Sequence, residues 1–309
     1  MSKKQVIVPT DPHKAIRFIM RQLEQSSAIL ALHGRDLWRK FVDSLLAFMR
    51  GDAAEYERIA TELAPAEQHL GAVVRCLFEQ ADRSYYDLLG PVHMEFGANK
   101  GAGQFFTPFE VSRMMARLQI GAGEGLASFD PANPCRINDP AVGSGGMLLA
   151  AAEVIADLGL EDRLHDGTIL FFAQDVDPLC AAMTELNFRL HKLAGYVACA
   201  NTLTDPDPWA DPTRTRYIEP AAITIQRYRQ AARAGLIRDE LGLLAAPATA
   251  EAAISAVEVR PAARVVDVSP AEGLWKVELP RRASATSVRR RGDHSLTMPL
   301  PLPDEEQAA

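Results

Sequence analysis

Hydrophobic positions recur at helical spacing through the first ninety or so residues, where Gly and Pro are sparse after Pro12. Ile16, Ile19, Met20 and Leu23 make one apolar stripe, and Leu37, Phe41, Leu45, Phe48 and Met49 make a second. Such stripes predict helices that pack on one another, so the segment reads as a helix bundle whose apolar faces form a core. Gly90-Pro91 punctuates its end. From about residue 93 the pattern changes to short apolar runs, glycine turns and amphipathic stretches. Arg136–Asn138, Ile169–Ala173 and Tyr196–Ala200 read as strands, ending at Asp139-Pro140, Gln174-Asp175 and Asn201. Helices are expected between them at Met147–Leu158 and Pro178–Leu193, the second with Leu179, Met183, Leu186, Leu190 and Leu193 on one face. Strand and helix in alternation imply an α/β fold with a parallel, doubly wound sheet.

Beyond Thr204 the pattern weakens. Ile218–Leu244 reads as helical, Pro247–Ala256 is rich in alanine, and Val265–Val268 and Trp275–Leu279 read as two short strands. Arg281, Arg282 and Arg289–Arg291 precede Met298-Pro299-Leu300-Pro301-Leu302-Pro303 and an acidic end, the composition of a disordered tail with a solvated charge run. The expected division is a helical unit at 1–92, an α/β core at 93–205, a divergent region at 206–280 and a tail at 281–309.

Composition narrows the function classes. No stretch approaches the roughly 18–20 uninterrupted apolar residues of a membrane span, and Met1-Ser2-Lys3-Lys4 leads into no apolar signal core, so a cytoplasmic protein is expected. Cys76, Cys135, Cys180 and Cys199 form no Cys-x-x-Cys pair, and no His-Glu-x-x-His occurs, so neither a disulfide framework nor a metal site is indicated. A net charge of -7 argues against a self-sufficient basic nucleic-acid binder but leaves room for a local groove or a basic partner.

Candidate chemistry gathers at the carboxyl ends of the three strands, where an open parallel sheet holds its ligand. Asp139-Pro140-Ala141-Val142-Gly143-Ser144-Gly145-Gly146 turns from the first strand into a helix. Its glycines allow close backbone approach and the helix N-terminus offers N–H groups to an anion, although a tight connection explains the glycines equally well. Asp175, at the second tip, can accept hydrogen bonds from two ribose hydroxyls, while Asp177 before Pro178 fits an N-cap. Asn201, at the third tip, suits an adenine edge or a loop cap. Upstream, Thr107, Pro108 and Glu110 have capping-box spacing before Val111, Met114, Met115 and Leu118, which recur as one helical face.

Gly-Gln-Phe-Phe-Thr-Pro at 103–108, Asp-Pro-Ala-Val-Gly-Ser-Gly-Gly at 139–146, Gln-Asp-Val-Asp-Pro at 174–178 and Asn201-Thr202-Leu203 follow one another in the order found in N6-adenine DNA methyltransferases. The chain resembles this family over about residues 95–205, and most of all the modification subunit of type I restriction-modification systems, which also carries an N-terminal helical domain. The resemblance implies a Rossmann-like methyltransferase fold, S-adenosylmethionine as cofactor, DNA as substrate, and a specificity or restriction subunit as partner. It implies that Thr107 and the turn at Ala141, Gly143 and Gly145 contact the methionine part of the cofactor, with Asp139 approaching its amine, Asp175 the ribose and Asn201 the adenine. Val142 stands where the family has cysteine or another small residue.

One departure is larger. The family carries Asp/Asn-Pro-Pro-aromatic after a fourth strand, where polar acceptors take the hydrogens of the adenine amine and the aromatic stacks on the flipped base. No such tetrapeptide occurs in this sequence. Asp205-Pro206-Asp207-Pro208-Trp209 supplies the residue types, with Asp207, Pro208 and Trp209 as catalytic candidates, but it follows the third strand directly. Val265–Pro270 has the strand and turn without the amide, second proline or aromatic. Two readings stand: an adenine-N6 methyltransferase whose amine-binding element comes from a divergent segment or a partner, and an inactive methyltransferase-fold module serving as regulator or decoy. A nicotinamide-dependent dehydrogenase fits less well, because Gly-x-Gly-x-x-Gly followed by an acid after about 20 residues is missing.

Overall fold

The computed structural model describes residues 7–97, 105–224, 226 and 295–297. Four helices open the chain, and their ends follow from local chemistry. Helix α1 (Pro12–Leu30) begins behind Asp11, whose carboxylate accepts the Lys14 N–H at 2.8 Å, and has Pro12 in its first turn. Helix α2 (Gly34–Arg50) stops at Gly51, which takes a left-handed conformation, and α3 (Ala53–Leu63) is capped by Asp52. Helix α4 (Glu67–Ala81) closes the bundle around Ile19, Leu23, Leu37 and Trp38, all fully buried. Along α2, Phe48 is 58% exposed, while Met49 packs against the bundle core. Helix α5 (Leu89–Val92) runs on into a π-turn at His93–Gly97.

Helix α6 (Phe109–Ile120) differs from expectation in two ways. Its N-cap is Pro108, extended at ψ 140°, and no side chain bonds there, so Thr107 lies one residue too early and the capping box does not form. Its expected apolar face is also split: Val111, Met114 and Leu118 are exposed, while Met115 packs against the core that α6 shares with α7 (Gly146–Asp157), and Phe109, Ser112 and Ala116 are buried.

Strand β1 (Cys135–Asp139), α7, the single-turn α8 (Asp162–His165), β2 (Ile169–Asp175), α9 (Pro178–Leu190) and β3 (Gly195–Cys199) follow in order. Ile137 pairs with Phe171 and Phe171 with Gly195, all parallel, as the alternation requires. The sheet is nevertheless mixed. Strand β4 (Thr215–Ile218) returns antiparallel beside β3, and residues 200–214 between them hold a short 3-10 turn at Pro208–Ala210 and no crossover helix. Ile218, expected in a helix, therefore pairs with Gly195, and helix resumes only at 221–224. Strand β5 (Ser295–Thr297) lies parallel to β1, giving the order β4-β3-β2-β1-β5. The architecture is α/β and Rossmann-like, preceded by a helical region. Val265–Val268, Trp275–Leu279 and the tail apart from β5 lie outside the described residues.

Helix α9 joins the two halves. Leu179, Met183, Leu186 and Leu190 belong to the core of the helical bundle, while Ala181 and Phe188 belong to that of the sheet. Glu185, 2% exposed, receives Arg50 from α2 and Arg189 from its own helix, so a buried ion pair spans the same junction.

Candidate functional site

The turn from β1 to α7 is held from β2 and from α9. Gly143 and Gly145 have φ of 58° and 92°, left-handed values that cost a side chain energy. The Val142 N–H donates to the Gln174 carbonyl at 2.9 Å, and the Gly143 N–H donates to Asp175 Oδ2 at 2.9 Å, which ties the turn to β2. From α9, Thr184 Oγ1 donates to the Gly143 carbonyl at 2.9 Å and Asn187 Nδ2 to the Ser144 carbonyl at 2.7 Å. Helix α7 has Gly145 as N-cap with no side chain bonding there, so the first turn of a 12-residue helix keeps donors for a ligand.

Asp139 is 1% exposed; Oδ1 accepts the Ala141 N–H at 3.1 Å, and Oδ2 has no hydrogen-bond partner among the described residues. Burial pushes its carboxyl up to about 6, against the Ala141 hydrogen bond, and the charge of Asp175 adds to the rise. A buried carboxylate oxygen without a partner is costly alone and is satisfied by a cationic amine. Asp175, half-buried, accepts the Asp177 N–H on Oδ1 at 2.8 Å besides the Gly143 N–H on Oδ2; burial raises its carboxyl too. Each oxygen keeps acceptor capacity for a ribose hydroxyl. Asp177 is the N-cap of α9, donated to by Leu179 N–H at 2.8 Å.

Asn201 and Thr107 come to the same end of the sheet with different support. Asn201 Oδ1 accepts the Leu203 N–H at 3.0 Å, the loop-cap arrangement, and Thr202 Oγ1 donates to the Pro140 carbonyl at 2.5 Å, joining the third tip to the turn. Thr107 is half-buried next to Phe106, whose ring lies over Gly143: a Cβ on that glycine would sit 3.0 Å from it. Gly103 and Gln104 lie outside the described residues. Ala141 is exposed, and Val142 is buried in the sheet core, where its apolar side chain fits. Sequence reasoning missed Val176, 67% exposed between Asp175 and Asp177; an apolar residue between two acids at a strand tip was the available signal. It leaves an exposed apolar surface beside Asp175.

The segment after β3 is engaged differently. Asp207 is the N-cap of a short 3-10 turn, Pro208–Ala210, with no side-chain bond. Pro208 is buried, and Trp209 meets Phe172 edge-on with centroids 5.1 Å apart, Phe172 in turn stacking on Tyr196 at 5.0 Å. Gln174 Nε2 donates to the Asp205 carbonyl at 2.8 Å, and Arg214 pairs with Asp205 and Asp211, each at 2.8 Å. Val265–Pro270 lies outside the described residues. No cluster of three metal-ligating side chains occurs among the described residues, and no helix there is long and apolar enough to cross a membrane.

Part of the chain is similar to known proteins. The sequence profile of the N-6 DNA Methylase family matches residues 92–218. The type I restriction enzyme MpnII methylase subunit of Mycoplasma pneumoniae is 30% identical over 110 residues, 35% of this chain and 18% of that protein. The chain thus matches under a fifth of that relative's length. Solved structures similar in part include a type I restriction-modification methyltransferase subunit from Streptococcus thermophilus, with 19% identity and a TM-score of 0.35 over 67% of this chain and 43% of that one. A class I S-adenosylmethionine-dependent methyltransferase from Listeria monocytogenes shows 14% identity and a TM-score of 0.33 over 59% and 52%. Over residues 92–218 this chain is thus similar to the N-6 DNA Methylase family.

Proposed function

We propose that the chain binds S-adenosylmethionine across the tips of β1, β2 and β3 and is a DNA adenine-N6 methyltransferase-like protein. The observation that carries the reading is Asp139 Oδ2, a buried acceptor lacking a partner beside an uncapped helix start. An amino acid places its ammonium on the first and its carboxylate at the second. Asp175 would hold the ribose hydroxyls, Val176 would cover the base, and Asn201 would face the adenine edge, while Thr107 and the turn at Ala141, Gly143 and Gly145 enclose the methionine part. Bound there, the cofactor supplies an electrophilic methyl group. Methyl transfer to adenine in DNA further requires an amine-binding element, which in this reading comes from a divergent segment of the chain or from a partner such as a specificity or restriction subunit. The proposed setting is the cytoplasm.

Calorimetric titration with S-adenosylmethionine, with NAD as control, tests the reading. One-to-one binding of S-adenosylmethionine alone is expected; binding of NAD alone, or of neither, overturns it. A second reading, a non-catalytic regulator or decoy that keeps the cofactor, is favoured by one observation: Trp209 is packed against Phe172 instead of standing clear for a base. Transfer of a tritiated methyl group to DNA, or N6-methyladenine in host DNA only when the gene is present, would remove that second reading.

A further inference from the structure

The buried carboxylate of Asp87 lies on the segment that leads from the helical bundle into α5. It is 5% exposed. Oδ1 accepts the N–H groups of Leu89 and Gly90 and Nδ2 of Asn187, each at 3.1 Å, and Oδ2 accepts Ser144 Oγ at 2.5 Å. Ser144 belongs to the turn between β1 and α7, and Asn187 also donates to the Ser144 carbonyl. One carboxylate therefore gathers the start of α5, the turn and α9. Two glycines make room for it: a Cβ on Gly90 would lie 2.4 Å from Asp87 Oδ2 and 2.6 Å from Ser144 Oγ, and one on Gly146 would lie 3.1 Å from Asp87 Oδ2.

We infer that Asp87 is a positioning residue for the cofactor turn, through which the placement of the N-terminal helices sets the conformation of Gly143–Gly146 and hence cofactor affinity. A hydroxyl held by a buried carboxylate has one low-energy orientation, and the turn backbone follows it because Asn187 grips the same residue. Arg50 and Glu185 also join the bundle to α9, but they touch no turn residue, so they weld the halves without setting the turn. The inference rests on the proposed cofactor reading for its functional consequence, and on geometry alone for its effect on the turn.

The test compares Asp87→Asn, Ser144→Ala, the double variant and Glu185→Gln in the full chain, each shown to be folded by circular dichroism. S-adenosylmethionine affinity is expected to fall at least tenfold in Asp87→Asn and in Ser144→Ala, with the double variant no weaker than the weaker single. Glu185→Gln should bind within twofold of the parent. Amide hydrogen exchange at residues 143–148 should quicken in Asp87→Asn and Ser144→Ala but not in Glu185→Gln. Unchanged exchange there in Asp87→Asn, or equal quickening in Glu185→Gln, overturns the inference whether or not the parent binds the cofactor. Failure of the parent to bind with exchange altered as expected would instead overturn the cofactor reading and leave the positioning role standing. Should Asp87→Asn not fold, Ser144→Ala reads the same contact from its other end, and unchanged exchange in it is equally decisive.

Discussion

The turn after β1 and the segment after β3 sit at the same end of the sheet and are both built from acids, glycines or prolines, yet they dispose of their polar groups in opposite ways. After β1, Asp139 keeps a buried oxygen without a partner, the start of α7 has no side-chain cap, and Asp175 holds the turn while retaining acceptor capacity. After β3, Asp205 and Asp211 hold Arg214, Gln174 holds the Asp205 carbonyl, and Trp209 lies against the sheet. Buried polar groups left unsatisfied by the fold point to a ligand, whereas groups satisfied within it point to structure. The difference favours the turn after β1 as the proposed cofactor pocket.

The largest effect that could break it comes from Asp175→Ala. The substitution removes the acceptor for the Gly143 N–H together with the proposed ribose contacts, so cofactor affinity should fall by about 2–3 kcal/mol, roughly a hundredfold. Calorimetry on the folded variant measures this, and unchanged affinity would take Asp175 out of the site. Asp139→Asn comes next, with opposed effects on stability and binding. A folded value of about 6 against an unfolded one of about 3.9 means the native state holds a proton that the unfolded chain has released. Stability therefore falls as pH rises from about 4 to about 6 and stays lower above that window. The amide should raise stability at pH 7 by about 1–2 kcal/mol, seen in urea midpoints, while weakening cofactor binding roughly thirtyfold. In the parent, an ammonium ligand favours the ionised acid, so affinity should rise from pH 5 to pH 7; a flat profile would count against the Asp139 contact.

Trp209→Ala probes the other half of the comparison. Losing a half-buried indole from the Phe172 face should cost about 1–2 kcal/mol of stability, with S-adenosylmethionine affinity within twofold of the parent. If methyl transfer is lost at unchanged stability, Trp209 serves the base and the loop has been misjudged.

How far the sequence foretold these features depends on whether a rule is local. The three strand tips were legible because parallel strands end in turn residues, and Asp177 was legible as a cap because its partner lies two residues away. The capping box at Thr107 failed because Pro108 is extended, and the face of α6 was misread because the helix buries Phe109, Ser112 and Ala116 and leaves Val111, Met114 and Leu118 exposed. Asp87 was invisible for a different reason: its partners Ser144 and Asn187 lie 57 and 100 residues away, and no local pattern distinguishes a buried acid from a surface one. The antiparallel return of β4 was not legible, since residues 200–214 are long enough for a crossover and only the pairing of Thr215–Ile218 with β3 shows the direction.

The smallest expected effect sharpens the comparison by giving a polar contact that ought not to matter to the ligand. Burial alone would push the Glu185 carboxyl up, but the hydrogen bond and charge of Arg50, joined by Arg189, outweigh it and leave the group below its ordinary value. A carboxylate lowered in the fold contributes stability above its unfolded value of about 4.3, and that contribution is lost as pH falls through the folded value. Both arginines are partly exposed, at 37% and 23% of their side chains, so water screens what Glu185→Gln leaves behind. The expected loss is about 1 kcal/mol at pH 7. Urea midpoints of parent and variant should draw together as pH falls below about 4. A difference that persists at low pH would mean that the amide disturbs packing at the junction, and that α9, not the ion pair, fixes the two halves.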